Sequence, residues 1–173
     1  MTGSGSANLT KGAGKQFLTT DLSSVIPKIS EKFSTPQPLV VKIRDSKFPL
    51  ISMNSKSTMV QQALFTDVCT SGQTVLHLQA NSIFKATLSV SDGKLFISLS
   101  QKSFDIVQAS SSIGSSNAQK LHDWINSIYT HSYLPAMNGM LSRGITLPSI
   151  LNDKWIKVNI ALFQVLQGHR RMA

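Results

Sequence analysis

The chain contains a single cysteine, Cys69, among 173 residues, so no disulfide can form within it. That excludes a disulfide-stapled scaffold, and the burial habit of cysteine predicts an inert thiol held inside a strand. Acidic residues are scarce: 8 Asp and Glu stand against 17 Lys and Arg, a formal net charge of +9 with neutral histidine. Such a field favours anionic partners such as phosphate head groups. The basic residues are dispersed, however, and Arg170-Arg171 is their one adjacent pair. No apolar run approaches the roughly 20 residues that a membrane-spanning helix requires. The first residues, Met1 to Gly14, lack the apolar core of a signal peptide, so an extracellular role implies an export signal elsewhere or a fragment.

Catalytic constellations are missing too. His77, His122, His131 and His169 have no metal-ligand spacing, and none has a Cys or carboxylate at ligand spacing. His122 and Asp123 fall on a helical segment, where neighbours i and i+1 point apart. No Gly-x-Ser-x-Gly elbow is present. Gly12-Ala13-Gly14-Lys15 has the look of a phosphate loop, but Leu9 stands where its first glycine belongs and Gln16 follows the lysine. An enzyme, a metal centre and a cofactor site are therefore not expected. With no zinc-ligand set, RNP-like aromatic block or helix-turn-helix signal, charge alone does not support nucleic-acid binding.

What is there is patterned. Residues 1–15 are Gly/Ser-rich and aperiodic, which predicts a flexible lead-in; within them Asn8-Leu9-Thr10 is a candidate N-glycosylation site at Asn8. One domain is expected over 16–166, large enough to bury roughly 70% of its unfolded surface. Leu22, Val25, Ile26, Ile29 and Phe33 predict a short helix capped by Thr20 or Asp21, interrupted or restarted at Pro27. From Leu39 the period becomes two: Leu39–Arg44, Phe48–Met53, Thr58–Cys69 and Gln73–Ala80 read as strands. Ile83–Val90 and Lys94–Gln101 form a hairpin around Ser91-Asp92-Gly93, because Asp-Gly supplies the positive φ angles of a tight turn.

Phe84, Ala86, Leu88, Val90, Leu95, Ile97 and Leu99 share that hairpin's apolar face, while Lys85, Thr87, Ser98 and Ser100 take the other. The apolar face needs a partner, and Ser116–Arg143 supplies one. Leu121, Trp124, Ile125, Ile128, Leu134, Met137 and Leu141 recur there at three- and four-residue steps. Ser115 or Ser116 can cap its start, Pro135 should kink it, and Gly144 sits where a terminal glycine belongs. A last strand is expected at Trp155–Leu166, then a basic tail over 167–173. Many antiparallel strands with one long late helix describe an α+β domain.

Three blocks of residues carry a family likeness. Leu18-Thr19-Thr20, Ile26-Pro27, Phe33 and Leu39–Ile43 form the first, and Ser111-Ser112-Ile113-Gly114 the second. The third, Leu134 to Pro148, fits Leu-Pro-x-x-Asn-x-x-Leu-x-x-Gly-Phe-Pro-Leu-Pro, with Ile145-Thr146 in place of Phe-Pro. In register from about Phe17 to Val165, they resemble the carboxy-terminal half of the bactericidal/permeability-increasing, lipopolysaccharide-binding and PLUNC superfamily. The resemblance implies an elongated, strongly twisted antiparallel sheet wrapped around one long helix, with a pocket between them for acyl chains. It further implies a secreted, non-enzymatic lipid binder of innate defence or lipid transfer, with no cofactor. Its partners would be phospholipid or lipopolysaccharide and an anionic membrane surface.

On that reading the lipid-contacting residues are Leu121, Trp124, Ile125, Ile128, Met137 and Leu141 on the helix, with Phe84, Leu88, Ile97 and Leu99 on the sheet. Complete members are more than twice this length, and residues 164–173 depart from the family's closing strand. The alternative function is a structural or interaction module of the same fold with a filled core and no ligand.

Overall fold

The computed structural model describes residues 6–12 and 14–147. Seven strands form one antiparallel sheet: β1 (Ser6–Leu9), β4 (Val40–Asp45), β5 (Leu50–Met53), β6 (Thr58–Thr70), β7 (Gln73–Ser91), β8 (Lys94–Ser111) and β9 (Ile145–Thr146). Its order is β1-β4-β6-β7-β8-β9, and β5 continues along β6 beyond β4. β2 (Lys11–Gly12) and β3 (Lys15–Gln16) make a separate small hairpin. The long strands are joined by two-residue turns at Ser71-Gly72 and Asp92-Gly93, all four residues having positive φ. That backbone matches the twist of the strands it connects.

β7 was expected as two strands and is one, 19 residues long. The break expected near residues 81 and 82 is instead a pair of irregularities, at Gln79/Ala80 and Ile83/Phe84, with a third between β6 and β7 at Val68/Cys69. Bulges bend a strand without ending it, so the sheet curves around the helix. Val41, Ile43, Val60, Leu64, Val68, Leu78, Phe84, Leu95, Ile97 and Leu99 fill the concave side. Val90, assigned to that face by alternation, lies past the helix and is 57% exposed. Cys69 alternates outward: it is half-buried, with Sγ 3.5 Å from Thr74 Oγ1, and not the interior thiol that cysteine's burial habit predicts.

The helical rod runs α2 (Ala118–Ile128), a π-helical turn (Tyr129–Tyr133) and α3 (Leu134–Leu141). Its cap is Asn117, neither Ser115 nor Ser116; Asn117 Oδ1 accepts from Lys120 N–H at 3.0 Å. The turn before Pro135 is widened, with Leu134 N–H bonded to Tyr129 O, and the proline enters at the start of α3, where no N–H is needed. Gly144 has φ +73°, and a Cβ there would meet Phe96 Cε1 at 2.7 Å.

Two stretches differ from expectation near the amino end. Ser6–Leu9, expected to be flexible, pairs with Val41–Arg44 as an edge strand, because backbone pairing needs no side-chain periodicity. The stripe Leu22 to Ile29 is buried, but it rides on a 3₁₀ turn (Thr19–Leu22) and a one-turn helix, α1 (Ile29–Lys32). The cap position is Leu18, neither Thr20 nor Asp21; Asp21 lies inside the turn and reaches back, its Oδ2 accepting Leu18 N–H at 2.8 Å. The expected closing strand Trp155–Leu166, the tail 167–173 and Pro148 lie outside the described residues.

Candidate functional site

The rod lies lengthwise on the sheet and is fastened by two parallel stripes. The apolar stripe, Leu121, Ile125, Ile128, Leu134 and Met137, is buried in one core with Phe84, Ile97, Leu99 and Phe104. Each fully buried aliphatic side chain of this set contributes about 1.5–3 kcal/mol. The polar stripe lies along β8. Asn138 Oδ1 accepts Leu99 N–H at 2.8 Å while its Nδ2 donates to Leu99 O at 2.9 Å. Gln101 Nε2 donates to Asn126 Oδ1 at 2.6 Å, Thr130 Oγ1 donates to Gln101 Oε1 at 3.2 Å, and His122 Nε2 donates to Phe104 O at 3.2 Å. Among the described residues β9 covers β8 only at Lys94 and Leu95, so helix side chains complete much of that edge.

A polar patch also lies under the π-helical turn, and the sequence reading missed it. Tyr129 and Tyr133 are buried, i and i+4, their rings 5.6 Å apart. Tyr129 OH is in close hydrogen-bond contact with buried Thr66, and Tyr133 bonds Gln62, whose Nε2 also donates to Asp45 Oδ1 at 3.1 Å. Burial pushes both phenols well above the ordinary tyrosine range, and the Asp45 carboxylate adds to the rise at Tyr133. Both stay protonated at neutral pH, and their hydrogen bonds to β6 position the rod. Their four-residue spacing, continuing Leu121 and Ile125 toward Met137, was the available signal.

The ten expected lipid-contacting residues do not share one opening. Phe84, Leu99, Leu121, Ile125 and Met137 are packed into the seam, and Leu141 packs partly against it. Ile97 also borders a surface notch with Asn138 and Ser142, and Leu88 a different one with Lys56 and Lys85. Trp124 and Ile128 reach a third opening, a groove of about 570 Å³ between the rod and residues 12–21.

Residues 12–21 close that groove against the rod, and of these only Gly12 and Lys15 belong to the segment read as a lead-in. Phe17 packs edge-on against Trp124 with ring centroids 6.3 Å apart, and with Ile128 and Leu18 these make its apolar floor. Gly12 is required there, since a Cβ would meet Phe17 Cε1 at 2.6 Å. Ser132 Oγ donates to Lys11 O at 3.4 Å and ties the hairpin to the π-helical turn. Lys15, Asp21 and His131 stand on the rim. The arrangement can shelter hydrocarbon under a mixed-charge lip. It offers no nucleophile with a positioned base, and no group of three metal-ligating side chains occurs among the described residues.

The chain matches the model of the LBP / BPI / CETP family, C-terminal domain, over residues 11–167. It is similar to BPI fold-containing family B member 3 of Mus musculus, 32% identical over 139 residues that cover 78% of this chain and 29% of that protein. BPI fold-containing family B member 4 of Homo sapiens is 23% identical over 153 residues, covering 86% of this chain and 25% of that protein. The chain therefore spans less than a third of these relatives' length. In fold it resembles a crystal structure of lipopolysaccharide binding protein, with a TM-score of 0.66 at 17% identity over 83% of this chain and 34% of that one.

Proposed function

This chain belongs to the LBP/BPI/CETP family, and from that membership together with the groove we propose that it is a non-enzymatic lipid-binding module. It takes the acyl chain of a phospholipid or lipopolysaccharide in an extracellular setting. The observation that carries this reading is the groove floored by Phe17, Trp124 and Ile128. Its volume lies in the range of small-ligand sites. Each methylene moved from water into it contributes about 0.8 kcal/mol. The protein whose fold this chain resembles, lipopolysaccharide binding protein, is named for such a ligand, which supports the ligand class. The packed helix–sheet seam favours the groove over the seam as the place where hydrocarbon enters.

Trp124 makes the reading testable, because the chain has 2 tryptophans and Trp155→Phe leaves one reporter. Phospholipid brominated along its acyl chain should quench Trp124 fluorescence in that variant, and native mass spectrometry should show bound phospholipid. Protein that stays lipid-free after exposure to vesicles, with unquenched Trp124, would be the filled-core module instead. In a secreted setting Asn8, exposed on β1, is the glycan acceptor. Chain expressed through a secretory route should lose mass on glycosidase treatment, and Asn8→Gln should abolish the shift.

A further inference from the structure

Strand β8 has β7 along one side and a patched edge along the other. Lys94 and Leu95 pair with β9, and Leu147 N–H donates to Gly93 O at 2.9 Å just beyond them. Further along the same edge, Leu99 N–H donates to Asn138 Oδ1 at 2.8 Å and Leu99 O accepts from Asn138 Nδ2 at 2.9 Å. A strand residue turns its N–H and C=O to one side, and that side alternates from residue to residue. Ile97 therefore presents the same two groups to the same edge, midway between two covered positions about 13 Å apart. Among the described residues nothing hydrogen-bonds to them there. A notch of about 390 Å³ opens at this place, bordered by Ile97, Asn138 and Ser142, and none of its lining side chains is charged. The Ile97 side chain is buried in the core, so it is the main chain of Ile97 that meets the notch.

We propose that the Ile97 edge binds a primary carboxamide, the end group of a glutamine or asparagine side chain on a partner protein. The amide oxygen accepts Ile97 N–H, and the N–H beside that oxygen donates to Ile97 O, as the Asn138 amide does two residues away. Ser142 Oγ donates to Gly139 O at 2.7 Å and keeps its lone pairs for the amide's second N–H. A partner strand would also need the groups of Leu95 and Leu99, which β9 and Asn138 already occupy. A carboxylate could accept from Ile97 but not donate to it, and it would meet no cation in the notch. A trans secondary amide carries its N–H on the side away from its oxygen, so it cannot make both bonds. The site is separate from the acyl groove and does not depend on it: the two share no residue.

The test is a titration of the ¹⁵N-labelled full chain, read at the Ile97 and Leu99 amides by NMR. In the free chain the Ile97 amide should exchange with solvent faster than the Leu99 amide, which Asn138 covers. Equal protection would mean that the edge is already closed, and the site would be withdrawn. N-acetylglutamine methylamide should then shift the Ile97 amide with a Kd of about millimolar order. Two analogues test the chemistry: one is methylated on the side-chain nitrogen, so that a methyl replaces the N–H beside the oxygen, and the other carries glutamate. Each loses the bond to Ile97 O and should bind at least about fivefold more weakly. Equal binding of all three probes would overturn the carboxamide assignment and leave only peptide main chain at the edge. Tighter binding of N-acetylglycinamide, an amidated chain end, would overturn the side-chain source. An Ile97 amide that stays still at about 50 mM glutamine probe would end the proposal altogether.

Discussion

Asn138 makes two hydrogen bonds to one residue, Leu99, and so does for the edge of β8 what a neighbouring strand would do. An aspartate in its place could accept from Leu99 N–H but could not donate to Leu99 O, and a leucine could do neither. This gives a physical reason for an amide at the polar position of the Leu-Pro-x-x-Asn stretch. Asn138→Ala leaves a part-buried donor and acceptor without partners, which costs about 1–3 kcal/mol for each group left unsatisfied. Urea unfolding should therefore show a loss of at least about 1 kcal/mol, with the slope m unchanged. A midpoint within error of the parent would mean that water replaces the amide and that the clamp is not structural. Gly12 follows the same kind of reasoning: its missing Cβ is the space Phe17 occupies, so the groove depends on a residue with no side chain.

Among elements, the π-helical turn decides how the rod meets the sheet. It brings Tyr129 and Tyr133 inward together, onto Thr66 and Gln62, polar residues that β6 places on its buried side between Val60, Leu64 and Val68. Because burial raises both phenol pKa values, the folded chain keeps two protons that the unfolded chain releases near pH 10. These groups leave stability unaffected below about pH 9 and lower it as pH rises past about 10, by up to about 1.4 kcal/mol per pH unit for each tyrosine. Urea unfolding of Tyr129→Phe should show a shallower decline between about pH 10 and 11 than the parent does. Identical slopes would place Tyr129 in water in the folded state.

The strands, the Asp92-Gly93 turn and the apolar stripe of the rod were legible because each rests on a local period or a φ requirement. Three features were not. Ser6–Leu9 pairs through its backbone, the short helix after Thr20 breaks where the chain must follow the sheet, and the tyrosine patch needs partners far away in sequence. The candidate site was legible in part: Trp124 and Ile128 came from the stripe and Phe17 opened the expected domain without being read as part of a site, whereas Gly12 and Lys15 came from a segment whose composition hid its pairing.

At the scale of the whole molecule, charge and grease are separated in space, and they should separate in experiment. The net charge of +9 is spread over the chain, whereas the groove floor of Phe17, Trp124 and Ile128 carries none. Attraction of the surface to an anionic bilayer is screened over about 8 Å at physiological ionic strength and over about 3 Å at 1 M salt. Hydrocarbon burial does not weaken with salt, and it strengthens with salts that are excluded from protein surfaces. Raising sodium chloride from about 0.1 to 1 M should therefore release the chain from phosphatidylglycerol-containing vesicles. The same change should leave acyl-chain quenching of Trp124 in preloaded protein within error. If quenching falls in step with release, the tryptophan reports the bilayer and not an occupied groove, and acyl binding by this chain would have to be abandoned even though its family membership would stand.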